Sequence, residues 1–272
     1  VGGNIAVDGT YEYVTGGSPA RAHLQMTGAG KFVHTGSSAF SIFSIAAGTI
    51  SADGSLSVND NFWAPITTGT FSTNGQTVIA NQSLLISGGT TTVNGGSLTI
   101  IGGLSVGQGG TGNGIFNISS GSVVTDGITL GDAAGTLANT ITQSGGTLTV
   151  NGAVTIHQPA AGAANGTANT WNINAGSPTI SGLISFEGTQ TASRIGRMVI
   201  TTGTLNANGG ISFAGTTTAN KVIDMSTGGG TGTINLKGSL TGSANATLTA
   251  GTSGSIFNYA DNISAQTVNF FG

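Results

Sequence analysis

The chain has 272 residues, 49 of them glycine and none cysteine, and the absence of thiols suits an exported protein that avoids stray thiol chemistry. Six Lys and Arg stand against nine Asp and Glu, and a formal net charge of -3 without a basic run excludes a nucleic-acid footprint. Hydrophobic content of 37% argues against disorder, and no apolar stretch approaches the roughly 20 residues of a membrane helix.

The chain opens on Val1-Gly2-Gly3-Asn4-Ile5-Ala6-Val7, which is similar to Asn208-Gly209-Gly210-Ile211-Ser212-Phe213 and predicts the second half of a repeat, entered in mid-turn. Residues 1–45 are otherwise irregular. From Gly48 a seven-residue motif, Gly-[Ser/Thr]-x-x-x-x-Gly, recurs eight times, starting at Gly48, Gly69, Gly96, Gly121, Gly146, Gly176, Gly203 and Gly232 at intervals of 21 to 30 residues. A ninth match, Gly89 to Gly95, overlaps the approach to the third copy and reads as coincidence in so Gly- and Thr-rich a chain.

Inside the motif apolar residues alternate with hydroxyl and amide residues, as in Leu98/Ile100 against Ser97/Thr99 and Leu148/Val150 against Thr147/Thr149. A period of two with one apolar face predicts a half-buried strand. After the second Gly comes another alternating pair, Leu56/Val58, Leu104/Val106, Val154/Ile156, Ile184/Phe186 or Ile211/Phe213. A third strand precedes the motif, with inward candidates Phe43/Ile45, Phe116/Ile118, Ile141/Gln143, Trp171/Ile173 and Met198/Ile200. Asp53, Asn74, Asp126, Asn151 and Asn208 stand just before the second Gly, and as residues that tolerate the left-handed region they predict a tight corner there. Three short strands per turn of about 25 residues predict an all-β fold, a right-handed parallel β-helix or β-solenoid, regular over 48–245 and continuous over 1–272.

The segment 246–272 ends on Thr267-Val268-Asn269-Phe270-Phe271, strand-like and without a polar cap. An open solenoid end exposes strand edges and core. The expectation is therefore a piece of a longer chain, or identical neighbours stacked end to end through Val1, Ile5, Val7, Val268, Phe270 and Phe271.

The run Gln143-Ser144-Gly145-Gly146-Thr147-Leu148-Thr149-Val150-Asn151-Gly152 resembles the Gly-Gly-Thr-Leu-Thr-Val-x-Gly repeat of autotransporter passengers and related β-strand-repeat proteins exported to bacterial surfaces. The resemblance extends from Gly48 to Gly238 and implies a secreted or surface-held solenoid, adhesive or scaffold-forming. It supplies no active site, and neither a cofactor nor a metal is expected.

An enzyme on this scaffold would need acids converging on one face. Adding eleven residues to the motif Gly gives Asp132, His157 and Glu187 in successive copies, and stacking would set His157 beside Glu187; Asp132 falls one place out of register. Arg194 and Arg197 flank a turn near Trp171 and could clamp a carboxylate or sugar acid, so His157, Glu187 and Arg194 form a candidate surface site. Trp171 reads as core and Trp63 as undecided, although either could stack on a sugar ring. His23 and His34 have no partner at metal-ligand spacing. Outward Thr147/Thr149 and Ser177/Thr179 suggest the ladders of ice-binding solenoids, but Ser, Val124 and Asn interrupt them. The sequence thus predicts an extracellular, non-enzymatic rod that self-associates into filaments or belongs to a larger surface adhesin. Surface glycans are its possible ligands, and glycan binding or polysaccharide degradation is the alternative.

Overall fold

A strand of three to six residues with one apolar face cannot bury that face alone, and this chain buries it by winding turn upon turn. The structure, a computed structural model, describes residues 4–8, 11–14, 23–26, 30–35, 39–40, 42–59, 62–63, 68–110, 112–190, 193–215 and 220–259. From Ile42 onward their strands form three parallel faces, each strand hydrogen-bonded to its counterparts one turn before and one turn after.

The first face contains Thr49–Ala52, Thr70–Ser72, Thr140–Gln143, Ala168–Ile173, Ile195–Ile200, Lys221–Asp224 and Thr247–Thr249. The second contains Leu56–Val58, Thr77–Ala80, Thr147–Val150, Thr179–Ile180, Thr204–Ala207, Thr233–Leu236 and Ile256–Tyr259. The third contains Phe62–Trp63, Leu84–Ile86, Val154–His157, Ile184–Glu187, Ile211–Phe213 and Leu240–Thr241. Two long strands, Gly89–Val106 and Gly114–Leu130, bend through all three faces and supply the turns between. The chain is a parallel β-helix, and no α-helix occurs among the described residues.

The alternation read from sequence sets the core. Phe116, Ile118, Ile141, Trp171, Ile173, Met198 and Ile200 are all fully buried on the first face, as are Val154, Ile156, Ile184, Phe186 and Ile211 on the third. Phe186 and Phe213 stack across adjacent turns with ring centroids 4.8 Å apart. At about 1.5–3 kcal/mol for each large apolar side chain, every added turn extends the core and strengthens the turn below it.

The repeat changes phase, which the motif spacing conceals. The first two copies lie on the first face, where Thr49 pairs with Thr70, and Thr70 pairs with Thr90 of the overlapping ninth match. The copies from Gly96 onward lie on the second face, where Ser97 pairs with Thr77 and with Ser122. Gly89 to Gly95 is therefore a structural copy rather than a coincidence. The confusion has a physical source: all three faces demand the same alternation and the same glycine corners, so a motif that fits one fits the next.

Corner chemistry also differs from the expectation. Asn74, at φ 49°, is the one non-glycine residue with positive φ among those described, and Asp53, Asp126, Asn151 and Asn208 stay in ordinary conformations. The second motif glycines Gly102, Gly152, Gly182, Gly209 and Gly238 are required instead by the neighbouring turn, whereas Gly75, at φ 77°, has open space where a Cβ would be. A Cβ on Gly182 would lie 2.4 Å from the carbonyl carbon of Gly152, and one on Gly209 would lie 2.3 Å from that of Gly182. Stacked corners leave no room for a side chain.

At the N-terminal side the winding pattern is replaced. Asn4–Asp8 pairs antiparallel with Gly30–Thr35, and Tyr11–Val14 pairs antiparallel with His23–Met26, whereas Ile211–Phe213, the proposed sequence counterpart of the opening segment, is parallel to both neighbours. Antiparallel strands can be joined by a short reversal and need no full turn between them. Gly30–Thr35 and His23–Met26 then pair in parallel with the first regular turn, so this ribbon lies across the beginning of the stack.

Candidate functional site

The polar residues singled out by sequence gather where the third face gives way to the first. His157 and Glu187 end adjacent strands and are paired in register. Leu130 pairs with Ile156, so Gly131 occupies the level of His157 and Asp132 falls one place beyond it, as the lost residue in that copy implies. Asp132 is engaged locally, accepting hydrogen bonds from Gly109 N–H at 3.2 Å and Ala134 N–H at 3.0 Å. Arg194 Nε and Nη2 both donate to the carbonyl of Ala163, at 3.0 and 2.7 Å. Arg197 reaches the Thr170 hydroxyl on the first face at 3.4 Å.

Burial lowers the pKa of His157, and the charges of Glu187 and Asp132 offset only part of that effect. An unfolded histidine titrates near 6.5. Its folded pKa lies below that value, so the unfolded chain binds the extra proton first. The associated stability is fully present above about pH 6.5 and is lost as pH falls through the folded pKa. We expect the urea midpoint to drop between pH 7.5 and pH 5.5 by more in the wild-type protein than in His157→Gln. Equal drops would show that His157 is not the titrating group.

Sequence reasoning missed the interior side of this corner. Asn139, buried just ahead of Thr140–Gln143, and Asn169, the buried second residue of Ala168–Ile173, form an amide ladder in which Asn139 Nδ2 donates to Asn169 Oδ1 at 2.9 Å. Asn139 Oδ1 accepts from Gly114 N–H at 2.8 Å, and Asn169 Nδ2 donates to the His157 carbonyl at 2.7 Å. Gln158, also buried, donates to the carbonyls of Arg194 and Asn220 at 3.2 Å each. These amides satisfy loop backbone that no strand can reach. The signal was the recurrence of an Asn-Thr pair, at Asn139-Thr140 and Asn169-Thr170. Register places Lys221, through Gly196, at the level of Asn169; it is fully buried, with burial lowering its pKa against the opposing charge of Glu187. Among the described residues its Nζ has no hydrogen-bond partner.

Elsewhere acids serve loops. Burial opposes the charge on Asp224, but side-chain and backbone hydrogen bonds from Ser226 and Thr227 outweigh it and hold the carboxyl below its usual range. Among the described residues, no group of three or more His, Asp or Glu side chains could hold a metal ion, and no helix is long and apolar enough to cross a membrane.

The outer side of the third face carries a different feature. A groove of about 390 Å³ runs over the turns containing Leu85, Ser105, Thr129 and Thr155, with Gly103, Gly127 and Ala153 at its edge. None of its lining residues is charged. Ser105 donates its hydroxyl proton to Gln108 Oε1 at 2.7 Å. The second-face rank suggested for ice runs Ile79, Thr99, Val124, Thr149, Thr179 and Asn206 in register, and so is interrupted by apolar and amide residues.

Of the residues named for end-to-end stacking, Ile5 and Val7 lie in the antiparallel ribbon opposite His34 and Phe32. Val1, Val268, Phe270 and Phe271 lie outside the described residues. Thr247–Thr249 and Ile256–Tyr259, within the segment expected to be an uncapped end, continue the first and second faces. Trp171 is fully buried, as its inward position predicts. Comparison with protein-family models, with curated proteins and with solved structures gives no match to this chain.

Proposed function

We propose that this chain is an extracellular structural protein in which the rod is the working part, and that copies associate along the rod axis. The observation that carries this reading is the uniformity of the stack. The described strands from Ile42 to Tyr259 repeat the same three parallel edges turn upon turn, so any turn edge left uncovered is a template for strands of another copy. The ladders on its surface reinforce that axis: Asn235 Nδ2 donates to Asn206 Oδ1 and Asn258 Nδ2 to Asn235 Oδ1, each at 2.9 Å. A ladder of this kind gains one bond with each turn added and ends in an unused acceptor that a further amide can meet. Low charge removes a repulsive restraint on such association, with only 6% of residues ionisable as Asp, Glu, Lys or Arg.

Sedimentation and negative-stain electron microscopy over a concentration series test the proposal. Uniform fibres one rod wide, lengthening with concentration, are expected. A monodisperse monomer at every concentration would reject self-association and leave the rod as one segment of a longer surface adhesin.

A further inference from the structure

We propose that Asn74-Gly75 is a site of spontaneous covalent modification: the stack leaves this Asn-Gly corner free to cyclise and lose ammonia, and protects the other five. This goes beyond the structural reading above and does not depend on filament formation. The pair occurs six times, at Asn74, Asn94, Asn113, Asn151, Asn165 and Asn208. In each, glycine sets a backbone nitrogen unshielded by a Cβ next to an electrophilic side-chain carbonyl. Ring closure needs that nitrogen free of a hydrogen bond and both residues free to turn into a near-attack geometry.

Five of the corners fail one requirement or the other. Gly114 N–H donates to Asn139 Oδ1 at 2.8 Å, and Gly166 N–H donates to the Ser193 carbonyl at 2.7 Å. The Asn94 side chain is pinned, its Oδ1 accepting from Ser72 Oγ at 2.8 Å and from Asn74 N–H at 2.7 Å. Asn151 and Asn208 are tied through their N–H groups to Thr125 O and Ile180 O of the turn below, at 2.9 and 2.8 Å. The glycines after them have no space to move: a Cβ on Gly152 would strike the Asp126 carbonyl oxygen, and one on Gly209 the Gly182 carbonyl. Asn74 and Gly75 are both exposed, and a Cβ on Gly75 would meet nothing within 4 Å. Gly75 N–H donates to nothing among the described residues. Gly96 of the turn above lies over the Gly75 carbonyl, which takes no part in ring closure. The Asn74 side chain makes one hydrogen bond among the described residues, from Nδ2 to the Ala52 carbonyl at 3.2 Å. Its backbone is held at φ 49°, a strained conformation for a residue with a side chain.

The step needs no reagent but water. The Gly75 nitrogen gives up its proton and attacks Asn74 Cγ; the new N–Cγ bond closes a cyclic imide as the Cγ–Nδ2 bond breaks and ammonia leaves. Water then opens the imide, giving aspartate where the N–Cγ bond breaks and isoaspartate where the bond to the backbone carbonyl breaks. Asn74 lies two places beyond the paired Ser72 and Ser51, at the level of Asp53 of the turn below. The new carboxylate therefore sets a like charge against Asp53, and the Ala52 carbonyl loses its amide donor. Modification loosens the stack at that level.

Peptide mapping by mass spectrometry, after incubation of the full native chain in mildly alkaline buffer, tests this, with the same chain in concentrated urea as the reference. Each conversion exchanges NH for O in the mass, and electron-transfer fragmentation tells isoaspartate from aspartate. In the native rod Asn74 is expected to convert at least about tenfold faster than any of the other five, equivalent to about 1.4 kcal/mol in the barrier. In urea the six rates should draw together, because the fold no longer separates them. Asn74→Asp, which reproduces one product, should melt at a lower temperature than wild type. Conversion of another pair as fast as Asn74 in the native rod, the same tenfold lead for Asn74 in urea, or an unconverted Asn74 while the unfolded chain reacts would overturn the proposal. An Asn74→Asp protein that melts with wild type would overturn the loosening of the stack.

Discussion

Gly102→Ala is expected to destabilise the rod by about 1–3 kcal/mol, whereas Gly103→Ala, one residue along the same corner, should stabilise it by about 0.4–1 kcal/mol. Neither glycine has a positive φ, so backbone preference does not separate them. Space does. A Cβ on Gly102 would sit 2.5 Å from the carbonyl oxygen of Gln82 and 2.8 Å from its carbonyl carbon, both backbone atoms of the turn below that are fixed by the strand ladder. They cannot yield unless two turns move apart, and that stretches the hydrogen bond from Gly102 N–H to Gln82 O, now 2.6 Å. A Cβ on Gly103 meets only Gly127 O, at an ordinary 3.8 Å. Alanine there removes freedom from the unfolded chain without strain in the folded one. Urea unfolding followed by far-ultraviolet circular dichroism measures both, and two substitutions of equal sign would contradict this account of the corner. Because each turn contacts chiefly its neighbours, the Gly102→Ala transition should also broaden as the stack divides at that level.

The same contrast shows which parts of the molecule were legible in the sequence. The alternation of Leu148/Val150 against Thr147/Thr149 is a local property, and it gave the strands, their inward faces and the number of faces. What it could not give was the identity of each face. Thr70, Ser97 and Thr147 all follow a glycine at the start of an alternating segment, yet Thr70 belongs to a different face from the other two. Which glycines serve φ and which serve close approach is likewise a property of the turn below, and neither Gly102 nor Gly103 announces it. The pairing of His157 with Glu187 was legible because a constant offset from the motif survives when the loops do not intervene. The bond from Arg194 to the Ala163 carbonyl was not legible because it is made within a loop of irregular length. The groove was invisible until Leu85, Ser105, Thr129 and Thr155 were brought into one rank by turns of unequal length.

Trp171→Ala should produce the largest loss of any single truncation in the core, about 3–5 kcal/mol, while Trp171→Phe should stay within about 1 kcal/mol of wild type. Trp171 is the bulkiest fully buried side chain among the described residues and stands between Ile141 of the preceding turn and Met198 of the next. Alanine opens a cavity that strands pinned on both sides cannot collapse to fill, so transfer and cavity costs add. Phenylalanine keeps most of the apolar area. It also removes the indole N–H, which is buried and has no hydrogen-bond partner among the described residues. An unsatisfied buried donor costs about 1–3 kcal/mol, so its removal offsets much of the packing lost with the second ring. The chain has two tryptophans, so in a Trp63→Phe background the emission comes from Trp171 alone. That emission should lie at short wavelength in the native rod and shift to the red when the core opens. Denaturation of the Trp63→Phe protein followed by this signal should coincide with loss of the β-sheet circular dichroism. A red-shifted native spectrum, or Trp171→Phe as damaging as Trp171→Ala, would remove Trp171 from the centre of the stack and with it the register that aligns Ile141, Trp171 and Met198.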